Sequence, residues 1–166
     1  MRILTYDVTP ADEGRAVRVV VPRRFSLGNH AFRRLKALGA IRVDRDVFDF
    51  SFLRKSEEIL EKGGVVEVFP ESRLPAKGEE KPLVFKPSVA YLALHSGAPV
   101  IPVYHTGNYF RKSRVGVMIG KPVDVREWYD DSLPEKENLE NISAKLRERI
   151  IELGNEFQRQ TQKEIR

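Results

Sequence analysis

The chain has 166 residues, enough for one domain with a buried core and too few for two of ordinary size. With 41% apolar and 32% charged residues it is neither disordered nor membrane-spanning in composition, and no apolar run approaches the roughly 18 residues of a spanning helix. The net charge of +5 points to acidic partners such as nucleic acid, phosphorylated metabolites or anionic lipid, and the absence of cysteine excludes disulfides and thiolate metal sites.

In chain order, the opening residues lack the apolar stretch of a signal peptide, which with the missing cysteines predicts an intracellular protein. Val19, Val20 and Val21, closed by Pro22, predict a buried strand. Phe32, Leu35 and Leu38 then recur at helical spacing up to Gly39, a stop signal. Ile41 and Val43 alternate with Arg42 and Asp44 as a second short strand. Seven basic residues, Arg23, Arg24, Arg33, Arg34, Lys36, Arg42 and Arg45, lie in this stretch against one acidic residue, Asp44. Such a cluster reads either as a solvated face or as an anion-binding surface.

Phe52, Leu53, Ser56, Ile59 and Leu60 mark one face of a helix over 49–62, ended by Gly63 and Gly64. Residues 65–69 predict a strand broken by Pro70, followed by a polar loop to Pro82. Ligands of open α/β sheets bind at loops leaving strand ends, so this loop is the first place to seek a site. Pro87 suits the first turn of a helix, Gly97 its stop, and 100–104 a further strand; Val115, Val117 and Ile119 alternate as another. Ile142, Leu146, Ile150, Leu153 and Phe157 form a stripe on an amphipathic terminal helix over 141–166. The expected fold class is α/β, a mixed β-sheet flanked by helices in one domain over 1–166.

The most specific stretch is Val68-Phe69-Pro70-Glu71-Ser72-Arg73, followed by Phe85-Lys86-Pro87-Ser88 and by Val100-Ile101-Pro102-Val103. With the upstream Gly39-Ala40-Ile41-Arg42-Val43-Asp44-Arg45, this order resembles the glycerolipid acyltransferases of the lysophosphatidic-acid acyltransferase type, over residues 23–123. In that family a strand-end FPEG-type motif precedes an FKPG-like helix start and a V-I-P-V strand. Here Ser72 stands in place of the glycine, and Arg73 follows Glu71 by two positions rather than three.

The resemblance implies a glycerol-3-phosphate acyltransferase-like fold and transfer of a fatty acyl group to a lysophospholipid hydroxyl in phospholipid biosynthesis. Acyl-CoA or acyl-carrier protein (acyl-ACP) would be the co-substrate, with no cofactor and no metal. It implies that Arg45 and Arg73 hold the substrate phosphate, since guanidinium forks bind phosphate through paired charge-assisted hydrogen bonds. Glu71 would repel a phosphate, so its implied role is to orient an arginine or meet a glycerol hydroxyl. Lys86 is a weaker candidate for nearby charge. The implied location is cytoplasmic, peripheral at the inner face of an anionic membrane, and nucleic acid is not an expected partner: only Phe25 and Phe32 interleave the basic run for stacking.

The family's acyl transfer uses a His-x4-Asp pair, the histidine serving as general base. None of the three histidines fits: His30, His95 and His105 have Leu35, Val100 and Phe110 five positions later. Asp7 stands near the expected aspartate, but five positions before it Arg2 stays protonated and cannot act as a base. The catalytic residue is thus unassigned. Two readings stay open: a domain incomplete at its N-terminus, or a non-catalytic relative that binds anionic lipid or another phosphorylated ligand.

Overall fold

The computed structural model describes residues 17–22, 40–43, 51–72, 76, 78–79, 81–106 and 115–164. The expected helix over 31–39 lies outside them. The chain falls into two compact units, Thr5–Val68 and Phe69–Arg166.

In the first unit, strands β1 (Val17–Pro22), β2 (Ile41–Val43) and β3 (Val65–Glu67) form a parallel sheet in the order β2-β1-β3. Val20 pairs with Ile41, and Val17 with Val65. Helix α1 (Ser51–Glu61) connects the two outer strands and packs against both. Its one fully buried polar residue, Ser56, returns its hydroxyl to the Phe52 carbonyl at 2.8 Å, so its burial leaves no donor unmet.

The expected stop at Gly63-Gly64 has a definite geometry. Gly63 takes φ +73°, its N–H donates to the Leu60 carbonyl, and the Gly64 N–H reaches back to the Ile59 carbonyl at 2.8 Å. This pairing satisfies two carbonyls at the helix end, and a Cβ on Gly64 would stand 2.6 Å from Ile59 Cγ2. Both glycines are therefore required, one for its backbone angle and one for space. β3 ends earlier than the expected residue 69, because the Phe69 carbonyl is turned to accept from Ser72 N–H.

In the second unit the core gathers Phe85, Ala90, Ala93, Val125, Ile142, Leu146 and Ile150. They come from helix α2 (Ser88–Ser96), the long helix α3 (Glu135–Glu164), a 3-10 turn (Val125–Trp128) and the segment before α2. Pro87 is the residue before α2 rather than within its first turn, and Gly97 closes the helix at φ +66°. The predicted stripe of Ile142, Leu146 and Ile150 is buried, Leu153 packs beside it, and the half-buried Phe157 meets Tyr104.

α3 starts at Glu135, six residues before the expected boundary. The fully buried Asn138 accounts for this: its Oδ1 accepts from Asp130 N–H at 2.8 Å, and its Nδ2 donates to the carbonyls of Asp130 and Leu133. That network ties the preceding turn to the first turn of the helix, where apolar periodicity is silent. The 3-10 turn was also absent from the sequence reading. It is capped by Asp124, whose carboxyl is held down to about 2 by hydrogen bonds from the Arg126 side chain and backbone.

β4 (Val103–His105) and β5 (Val117–Ile119) form an antiparallel pair. The strand expected over 100–104 is displaced because Pro102 has no N–H to give a ladder; its carbonyl accepts from Gly120, while Val100 bridges Val123 instead. Val117 and Ile119 are exposed at 48% and 55%. Tyr104 packs against α3, its ring 5.7 Å from that of Phe157 and over Gly154. Among the described residues, parallel pairing in the first unit and antiparallel pairing in the second, with the helices beside them, are compatible with the expected α/β class.

Candidate functional site

The V-F-P-E-S stretch leaves β3 as a tight turn. Ser72 N–H donates to the Phe69 carbonyl at 3.2 Å, so Pro70 and Glu71 occupy the two central positions. Proline pre-sets the backbone angle required at the first of these. Ser72 itself has φ +59°, the only positive φ among the described non-glycine residues.

That angle explains why a glycine belongs at the position of Ser72. A left-handed residue bearing a Cβ costs roughly 1–2 kcal/mol, while glycine's greater freedom in the unfolded chain costs roughly 0.5–1 kcal/mol. Ser72→Gly is therefore expected to raise stability by about 0.5 kcal/mol. A higher urea midpoint at unchanged slope would show it; a lower midpoint would mean that the Ser72 hydroxyl contributes more than its backbone strain costs.

Glu71 is 6% exposed, and its Oε2 accepts a hydrogen bond from the Leu83 N–H at 2.8 Å. The segment 82–86 is tied to the turn again where Lys86 N–H donates to the Pro70 carbonyl at 2.8 Å. The segment is in turn held by α3: Arg147 Nε donates to the carbonyls of Pro82 and Leu83 at 2.9 and 3.2 Å, and Ser143 Oγ lies 3.5 Å from the Lys86 carbonyl. Glu71 thus sits at the end of a braced chain of contacts, with Oε2 committed to the Leu83 N–H. A carboxylate fixed through one oxygen has acceptor capacity on the other to orient a guanidinium or accept from a hydroxyl.

Arg45 and Arg73 lie outside the described residues, as does His30. Lys86 is exposed, and its backbone rather than its side chain joins the turn. His95 is an exposed residue of the last turn of α2, with Nε2 3.3 Å from Glu135 Oε1 and its ring 4.0 Å from that of Tyr91. His105 is buried in β4. Among the described residues no three His, Cys, Asp or Glu side chains group as metal ligands, and no helix is long and apolar enough to cross a membrane.

Arg147 and Ser143 were not singled out from sequence. They are four residues apart on α3 and share a face, but nothing in their spacing distinguishes them from other polar residues beside an apolar stripe.

Comparison with known proteins matches the acyltransferase family model over residues 3–106. The chain is also 29% identical over 128 residues to the 1-acyl-sn-glycerol-3-phosphate acyltransferase of Bacillus subtilis (strain 168), covering 74% of this chain and 61% of that protein. It therefore spans less than two thirds of the relative's length. No solved structure matches. The family match runs through the turn carrying Glu71, the helix start at Pro87 and the strand at Val103, the motifs that carried the resemblance: the chain belongs to the glycerolipid acyltransferase family.

Proposed function

We propose that this chain carries the acceptor-binding part of an O-acyltransferase that moves a fatty acyl group from acyl-CoA or acyl-ACP to the free hydroxyl of 1-acyl-sn-glycerol 3-phosphate. In that reaction the hydroxyl oxygen attacks the thioester carbonyl, the thiol of the donor leaves, and a base takes the hydroxyl proton. Arg45 and Arg73 hold the phosphate, and Glu71 orients one of them or meets the glycerol. The protein works at the inner face of an anionic membrane, drawn there by its basic residues at about 1 kcal/mol for each cation near the surface.

The observation that carries this reading is the buried Glu71, held by the Leu83 N–H, on a turn whose next residue takes a glycine-like angle. It supplies a physical reason for the family's motif in this chain's own geometry. A second reading, a relative that binds lysophosphatidate without turning it over, is favoured by one specific observation: no histidine here is followed at five positions by aspartate.

The test is acyl transfer to 1-acyl-sn-glycerol 3-phosphate by this chain and by a form extended upstream to any in-frame His-x4-Asp. The expected result is lysophosphatidate binding by both and turnover only by the extended form. Binding without turnover in both forms would select the second reading, and absence of binding by both would sink the assignment of the phosphate site.

A further inference from the structure

We infer that Arg147, a residue of α3 beyond the family match, is a positioning residue for Glu71. The inference rests on the proposed lysophosphatidate reading for its functional consequence and on the contacts alone for its structural part.

The Glu71 carboxylate is placed by the Leu83 N–H, so its position is only as fixed as the backbone at Leu83. That backbone is held from its other side. The peptide carbonyls of Pro82 and Leu83 both accept from Arg147 Nε, and the segment is fixed again where Ser143 Oγ approaches the Lys86 carbonyl. Residues 143 and 147 lie one turn apart on the same helix face, so a single rigid element braces both ends of 82–86.

The helix itself is anchored by Ile142, Leu146 and Ile150, which alternate with the bracing residues and are buried in the core. α3 therefore converts core packing into a fixed position for a carboxylate 76 residues earlier in the chain (147 minus 71).

The choice of arginine matters. Its Nε–H lies in the plane of a rigid fork, and here one donor is shared between two successive carbonyls on a half-buried side chain. Lysine lacks the planar fork but carries three N–H donors on a flexible stem and can still bond these carbonyls; methionine keeps an apolar stem and offers no donor.

The experiment uses the full chain and three variants, Arg147→Met, Arg147→Lys and Asn138→Ala, with a short-chain 1-hexanoyl lysophosphatidate that stays monomeric. Affinity is read by calorimetry, and exchange of the Leu83 amide hydrogen by NMR. Arg147→Met is expected to weaken binding about tenfold and to speed Leu83 exchange by a similar factor, the scale for losing a hydrogen bond to a charged group. Arg147→Lys is expected to recover most of both.

Asn138→Ala loses stability at the other end of the same helix segment without touching 82–86, so it is expected to lower the melting temperature and leave affinity and Leu83 exchange unchanged. Wild-type affinity in Arg147→Met overturns the inference, and so does an equal loss of affinity in Asn138→Ala. If the unaltered chain does not bind the probe, it is the functional reading that fails. Leu83 exchange then decides the positioning alone: faster in the Met variant and restored by Lys upholds it, and unchanged exchange refutes it.

Discussion

Ile142→Ala is expected to destabilise the second unit by about 3–4 kcal/mol, the middle of the range for deleting three buried carbons from a packed core. Ile142 is 0% exposed and sits in the cluster with Phe85, Ala90, Ala93, Val125, Leu146 and Ile150. The neighbouring Ala90 and Ala93 are too small to fill the space by rotating, so little of the cavity can close. Urea denaturation followed by circular dichroism checks this, with a midpoint shift at unchanged slope as the expected form. A loss below about 1 kcal/mol would mean that the site collapses around alanine and that the packing of α3 is looser than its burial implies.

This result would bear on where the family's core ends. The family match stops at residue 106, whereas three of the seven buried residues of the cluster belong to α3. Phe85 and Ala90, which lie within the match, have their apolar contacts completed by residues outside it. Removing 135–166 is accordingly expected to unfold the segment that carries Glu71, rather than merely to trim a tail.

The parts of this fold that were legible in the sequence are those governed by short-range rules. Gly63-Gly64 and Gly97 stop helices because their backbone angles and lack of a Cβ are local requirements, and the Ile142, Leu146 and Ile150 stripe follows from helical periodicity alone. What was not legible depends on side-chain and backbone partners that lie outside each element's own periodicity. The start of α3 is set by Asn138 closing on Asp130 and Leu133, the displacement of β4 by Pro102 facing Gly120, and the brace on 82–86 by an arginine 64 and 65 residues away.

The candidate site divides the same way. Glu71 is legible from its motif, whereas the glycine-like demand at Ser72 lies in its positive φ, which the residue type alone does not reveal. Arg45 and Arg73 were named by resemblance and remain proposals on that footing.

Glu71 offers the sharper functional experiment, because alanine and glutamine remove different things. Glu71→Ala leaves the buried Leu83 N–H without its acceptor, at an expected cost of about 2 kcal/mol, since hydrogen bonds to charged groups are worth roughly 1.5–3 kcal/mol. Glu71→Gln keeps an oxygen for that N–H and loses the charge, so its expected cost is about 1 kcal/mol, in line with charge-assisted bonds being roughly twice as strong as neutral ones. Lysophosphatidate affinity should behave differently. An amide cannot balance a guanidinium, so both variants are expected to weaken binding about tenfold despite their unequal stability. Glutamine binding as well as wild type would reduce Glu71 to an anchor for the 82–86 segment and leave phosphate recognition to the arginines alone. Equal destabilisation by the two substitutions would instead mean that the charge, rather than the Leu83 bond, is what the fold requires at this turn.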